Sequence, residues 1–385
     1  MRRRRPLLPR LHRWIGVGLA AWLVLVALSG GLLLFSDAWL RWRLAVADTG
    51  PVPAWPEAET LVRLLEGAGG PVAWVGLARP GAPWAHVERV DGTACLLHPA
   101  DGSLLASHTP TSSLVSFLYD LHAMLLAGDV GQRVVGVLGI VLLGTLLAGL
   151  LLWLRRRRAF DLRSVAVSEV TPQAVLRSHV AQGVLASGLL FAIALSGVTF
   201  VFPEAAGAVL DAALGRTGPT RPIVHARTVP PGPTDWTAVL ATGRAAFPEG
   251  RLRFVTLPAA ADGVVVLRLR TPEELHPHGG SYVVVEPTTG ALLQRIDARE
   301  RGLGPAVLDA LYPLHAGSTG WPGHRWVLLL GAFLLLRLVT TSLWLQTDRR
   351  ARRRRLAALA QAGAAAGGSG RSTSARRPAS QPIGR

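Results

Sequence analysis

The chain has 385 residues, half of them hydrophobic, and carries a formal net charge of +17. All 41 basic residues are arginine, and one cysteine is present, which excludes an intramolecular disulfide and a thiolate-ligated iron–sulfur cluster within one chain. The basic surplus is not a nucleic-acid signature, because the arginines concentrate beside long apolar runs rather than on a soluble domain.

In chain order, residues 1–35 hold an arginine cluster and a first apolar stretch, Trp14–Phe35. It is too long for a signal-peptide core, and no small-x-small cleavage site follows, so it reads as a retained anchor. Three more stretches reach the ~20 residues needed to cross a bilayer: Val134–Leu154, Val180–Phe202 and Trp326–Leu345. Four transmembrane helices are predicted. Of the arginines, six lie in residues 1–13, six in 155–178 and ten in 346–385. The long connections, 36–115 and 203–313, hold 16 arginines against 19 acids. This is a positive-inside pattern: both termini and the 155–178 loop face the cytoplasm, and both long loops face outward.

Each long loop carries strand signals. They are "AWVGLARP", "AHVERV" and "CLLHPADGSLLAS" in the first, and "LRFVTL", "GVVVLRLR" and "SYVVVEPTTGALLQRI" in the second. A small α+β domain is expected in each, with Glu286–Gly290 ("EPTTG") and the "HPADG" stretch as turns between strands. Cys95 reads as a small buried hydrophobe. The tail, residues 349–385, is rich in Arg, Ala, Gly and Ser and is expected to be disordered.

The sequence repeats itself. Arg10–Phe35 aligns without a gap on Arg177–Phe202 at an offset of 167, placing His12 on His179 and Leu28-Ser29-Gly30 on Leu195-Ser196-Gly197. With small gaps, Leu121–Leu143 aligns on Leu314–Leu336, placing His122 on His315, Arg133 on Arg325 and Gly139 on Gly331. The chain therefore reads as a 2+2 duplication, in which segments 116–154 and 314–348 complete each half. Sites shared by such repeats lie at the repeat interface.

Four of the eleven histidines sit at matched helix ends. His12 and His179 share the cytoplasmic level, and His122 and His315 the outer level. Facing imidazoles in a bundle suit bis-histidine ligation of b-type haem, one axial nitrogen from each ring. The alternative is that they are ordinary interfacial residues copied by duplication. Arg337, inside the fourth span, either snorkels to the cytoplasmic surface or partners a haem propionate. Arg133 and Arg325 either hold outer propionates or anchor at headgroups. Asp120 and Asp129 either orient His122 or cap a helix. His276 and His278 in "HPHGG" read as a proline-bearing surface loop rather than a metal site. "GVGLAA" at Gly16 lies within a membrane helix with no strand before it, so it is not a dinucleotide-binding turn.

The motifs resemble the PepSY-associated transmembrane helix family of PiuB-like, iron-regulated membrane proteins. The resemblance rests on Leu11–Gly16 ("LHRWIG"), Ser29-Gly30, Leu121-His122 with Gly128, Gly131, Arg133, Gly139 and Trp153, and the Glu286–Gly290 turn. It covers roughly residues 8–348. The chain departs from the pattern at Thr340-Thr341-Ser342 and lacks a Trp after His179. The resemblance implies two PepSY-like extracytoplasmic domains on a bacterial inner-membrane protein of iron acquisition. It further implies a di-haem reductase of a ferric siderophore, with His12, His179, His122 and His315 as haem ligands. No flavin or nicotinamide motif occurs, so the donor would be a quinol or a separate reductase. The rival expectation is a non-enzymatic protein binding a peptide, a protease or a metal chelate. A transporter is disfavoured, because no helix reads as broken at the midplane.

Overall fold

The structure is a computed structural model that describes residues 7–46, 52–109, 112–155, 160–166, 169–214, 222, 232–258 and 263–369, with side chains to residue 362. Helices α1 (Leu7–Gly18) and α2 (Ala20–Leu33) are apolar and long enough to span only as a pair, which is bent by 55°. The first of the four expected spans is therefore not one continuous helix. Gly16 and Gly18, low in helix propensity, lead directly into the break.

After the bent pair come α3 (Ser36–Leu44), α4 (Ala58–Gly67) and strands β1 (Val72–Gly76), β2 (Ala85–Arg89), β3 (Ala94–Leu97) and β4 (Leu104–His108). Next are α5 (Leu114–Met124), α6 (Gly128–Arg155), α7 (Pro172–Val201) and α8 (Pro203–Leu214). A second run holds α9 (Trp236–Ala246), β5 (Arg251–Thr256), β6 (Val265–Arg270), β7 (Ser281–Val285) and β8 (Leu292–Ile296). The described chain closes with α10 (Leu303–Ala316) and α11 (His324–Ser369). Helices α6, α7 and α11 are each long and apolar enough to cross a membrane, and the bent α1–α2 pair brings the number to four where it counts as one span. The chain is a membrane protein.

Local signals set the helix ends. Thr171 accepts a hydrogen bond from Ala174 N at the start of α7, where Pro172 takes the first turn. Ser113 caps α5 in the same way. The tail departs from expectation: α11 runs on past Trp344 as far as Ser369. Its Ala, Leu, Arg and Gln are strong helix formers, and Asp348 pairs with Arg352 one turn on. Residues 370–385 lie outside the described residues.

All six strand signals appear as strands. The two loops do not, however, form two separate sheets. They join into one antiparallel eight-stranded sheet of order β4-β3-β2-β1-β5-β6-β7-β8. The order is symmetric about the β1–β5 junction, where Val75 faces Val255. Alternation divides the sheet into two faces. Val75, Val87, Cys95, Leu97, Val255, Leu267, Leu269 and Val283, all under 3 % exposed, pack beneath α4 and α9 with Leu61, Leu64, Val239 and Phe247. Cys95 is a buried member of this core, as expected. The other face carries Trp74, His86, Phe254 and Arg268. Part of it is covered by α3, whose Leu40 and Leu44 pack on Trp84 and Leu96. The expected turns form at Glu286–Gly290 and His98–Gly102, with Gly290 and Gly102 at φ of 71° and 72°.

The spans pack around a shared apolar centre. Leu19, Leu23, Leu142 and Val339 form one cluster, and Ala186, Leu190, Leu334 and Leu338 another.

Candidate functional site

The apolar centre separates two polar levels. At the level far from the sheet, His12 of α1 and His179 of α7 approach to 6.4 Å between ring centroids. At the level near the sheet, His122 of α5 and His315 of α10 approach to 6.2 Å. Sequence reasoning paired these four by depth, and the structure brings the same partners together. The levels are far apart: His179 and Ser196 lie 17 positions apart on α7, about 25 Å of helical rise.

Each ring is anchored through Nδ1 by its own half of the chain. His12 Nδ1 lies 3.1 Å from the Thr145 carbonyl oxygen. His179 Nδ1 lies 2.9 Å from Thr341 Oγ1. His122 Nδ1 is 3.1 Å from Ser29 Oγ, and His315 Nδ1 is 2.9 Å from Ser196 Oγ. Nε2 of each ring takes no part in these four contacts. That is the arrangement of a metal-ligating imidazole, with one nitrogen fixed to an oxygen and the other available. Ser29, Ser196, Thr145 and Thr341 are the residues sequence reasoning missed. The only signal was the repeated Leu-Ser-Gly. Asp120 and Asp129, considered as partners of His122, do not fill that role; Ser29 does.

Glycines make room for three of the rings. A Cβ on Gly30 would lie 2.8 Å from His122 Cε1, and one on Gly149 would lie 3.0 Å from His12 Cε1. The corresponding distance from Gly197 to His315 is 3.4 Å. The turns after the two sheet-side histidines are left-handed, at Leu125 and Leu126 in one half and Gly317 in the other.

Two metal–imidazole bonds of about 2 Å place the ring centres of axial ligands roughly 6 Å apart. Both pairs meet that spacing. Among the described residues, no three His, Cys, Asp or Glu side chains converge. A pair of imidazoles cannot by itself complete the four-ligand shell of a structural metal ion. It is the complete protein contribution to a bis-histidine macrocycle, so these residues fit that group.

The arginines separate. Arg337 is half-buried, and its guanidinium has no hydrogen bond or ion pair among the described residues. Arg325 packs its stem against Gly317, two residues beyond His315. Arg133 is exposed on α6, in a shallow groove with Val130, Val134, Val137 and Leu138.

The "HPHGG" loop is not a surface loop. His276 is 8 % exposed and stacks on Tyr312 of α10 at 4.7 Å, because the loop folds back over the second face of the sheet. From the sheet-side pair, rings continue outward: His315 to Phe200 at 5.4 Å, Phe200 to Tyr312 at 6.3 Å, then His276 and His278. Beyond them lie Phe254, Trp74 and His86, at successive distances of 5.1, 5.6 and 4.9 Å. Burial and neighbouring charge lower the basicity of His276 and His278, each to about 3, and of His86 to about 4.

No curated protein matches the chain. The description "PepSY-associated TM region" matches residues 9–349, a span that includes the bundle, the sheet and all four paired histidines. The chain belongs to the PepSY-associated TM family.

Proposed function

We propose that the chain is a di-haem b electron conduit of the bacterial inner membrane. In this reading it delivers electrons to an extracytoplasmic ferric chelate of the siderophore class, as part of iron acquisition. The carrying observation is the pair of cross-bundle imidazole couples, 6.4 and 6.2 Å between centroids, each ring held through Nδ1. Supporting it are the duplicated sequence, the symmetric strand order and the arginine distribution. In this reading the arginine distribution favours a cytoplasmic side for both termini and the His12–His179 level, with the sheet outside.

Bis-histidine haem supplies one-electron ferric/ferrous cycling when bound. The chain's residues divide the remaining work. His12 and His179 would hold the inner group, and His122 and His315 the outer one. Ser29, Ser196, Thr145 and Thr341 fix the rings and set which nitrogen is free. Gly30, Gly149 and Gly197 keep the ring edges unobstructed. Arg337 offers a half-buried positive charge for an inner propionate. Arg325, near His315, is better situated for the outer one than Arg133, which is exposed on α6. A quinol or a separate reductase would supply electrons at the cytoplasmic level.

A second reading is a non-enzymatic role, in which the sheet binds a peptide, a protease or a metal chelate. The two terminal strands, β4 and β8, favour it, since each leaves an edge on which an extended segment could add. The visible spectrum of purified protein, expressed with ample haem, separates the two. A reducible b-type Soret band is expected, and its absence would sink the conduit.

A further inference from the structure

The densest chemistry outside the paired histidines lies between the second face of the sheet and α10. Arg253 is 7 % exposed. Its one hydrogen bond among the described residues runs from Nη1 to the Ala78 carbonyl at 3.1 Å, and its Nε is buried without a partner. Arg268 donates twice to the Gly279 carbonyl, at 2.9 and 2.7 Å, and lies over the rings of Phe254 and Tyr282. Neither guanidinium has a carboxylate partner among the described residues. The nearby acids are committed elsewhere. Asp37 pairs with Arg79 and Asp309 with Arg301, while Glu274 accepts from Thr271 N, Gly280 N and Ser281 Oγ.

Two imidazoles complete the layer. His276 Nδ1 accepts from His278 N at 3.1 Å, so in the neutral ring Nε2 carries the proton and is a free donor. His278 Nδ1 is buried and unpartnered. A buried cation without a counter-charge costs several kcal/mol. Arginines and orphaned imidazole nitrogens in one layer therefore describe a site that lacks an anion.

We propose that Arg253, Arg268, His276 and His278 form a binding site for a negatively charged, oxygen-rich ligand, namely an anionic ferric chelate. The guanidiniums supply charge and His276 Nε2 a hydrogen bond. Tyr312 stacks on His276 and meets Phe200, which packs on His315, so the ligand sits two rings from the sheet-side histidine pair. The ferric identity of the ligand and its redox purpose rest on the conduit reading; binding of an anionic, oxygen-rich ligand does not. Uncharged chelates are discriminated against, because burying the arginines beside them leaves the deficit unfilled.

The test uses the full chain in phosphatidylcholine nanodiscs and gallium(III) citrate, a redox-inert anionic probe, read by calorimetry. Gallium(III) acetohydroxamate, which is uncharged, is the comparison. The citrate complex is expected to bind at least about 10-fold more tightly, and Arg268→Gln and His278→Gln should each weaken it about 10-fold or more. A thermal melt confirms that each variant is folded. Should Arg268→Gln fail to fold, His278→Gln and Arg253→Gln carry the comparison. Equal affinities for the two probes, or variants that bind like the parent, overturn the proposal. So does preferential, Arg268-dependent binding of inorganic phosphate or of added phosphatidylglycerol that excludes gallium citrate, which would make this a phosphate or headgroup site. Haem-free protein that still binds gallium citrate would preserve the site and refute only the conduit.

Discussion

Gly30→Ala tests the geometry of the sheet-side pair more sharply than removal of a histidine. The new methyl carbon would lie 2.8 Å from His122 Cε1 and 3.2 Å from Nδ1. Carbon contacts settle at about 3.5 Å or more, so the ring must retreat by roughly 0.7 Å. That movement strains the 3.1 Å contact with Ser29 Oγ. A hydrogen bond of this kind contributes about 1 kcal/mol, and ligand-orienting partners are worth about 10- to 100-fold in metal affinity. Gly30→Ala should therefore lower affinity for the outer haem about 10-fold, roughly 1.4 kcal/mol, and leave the inner one in place. The assay is the haem-to-protein ratio with reduced-minus-oxidised spectra during titration. Gly144→Ala is the matched control, because nothing lies within 4 Å of its added carbon. Two unperturbed haems in Gly30→Ala, or equal loss in Gly144→Ala, would refute the reasoning.

Further outcomes follow from the same structure. His12→Ala and His122→Ala should each remove about one haem, leaving a single b-type signal; loss of both from either variant would mean that the levels are not independent. Arg337→Leu should weaken haem retention at the His12–His179 level, and unchanged haem content would end its proposed role as a propionate partner. Phe247→Ala should destabilise the sheet domain by about 3–5 kcal/mol, because Phe247 is fully buried beneath the strands; a melt within a degree of the parent would contradict the packing. His276 and His278 fold with basicity lowered to about 3, below the unfolded value near 6.5. The unfolded chain then binds more protons between those values, so stability falls as pH drops from about 6.5 toward 3, by up to about 1.4 kcal/mol per pH unit for each ring. A His276→Gln/His278→Gln variant should show a flatter melting profile from pH 7 to 4.

The spans and strands were legible because their signals are local: apolar length for the helices, β-branched runs with turn residues for the strands. The histidine pairs were legible for a different reason. The alignment of Arg10–Phe35 on Arg177–Phe202 offered an internal comparison within one chain, and the arginine distribution a basis for ranking depth. What was not legible depends on contacts between distant segments. Nothing in the alternation of β1 says that it will pair with β5, about 180 residues later, rather than leave an edge. The hydroxyls of Ser29, Ser196 and Thr341 satisfy the carbonyl of the preceding turn in their own helices, so by sequence they look self-sufficient. Their second role emerges only when a helix from the same half brings an imidazole alongside. At His276, Pro and Gly signal a turn without saying which way it folds; here it folds inward, onto Tyr312.

The β1–β5 pairing has a mechanical meaning. The hydrogen bonds between Trp74–Gly76 and Phe254–Thr256 rivet the two halves of the chain together at one end of the bundle. A machine that worked by rocking one half against the other would have to shear that seam on every cycle, or pivot about it with the seam as a fixed hinge. Helices α6 and α7, one from each half, run packed side by side below the seam, which restrains the pivot too. The molecule is built as a braced frame, suited to holding opposed rings at constant separation rather than opening a path between them.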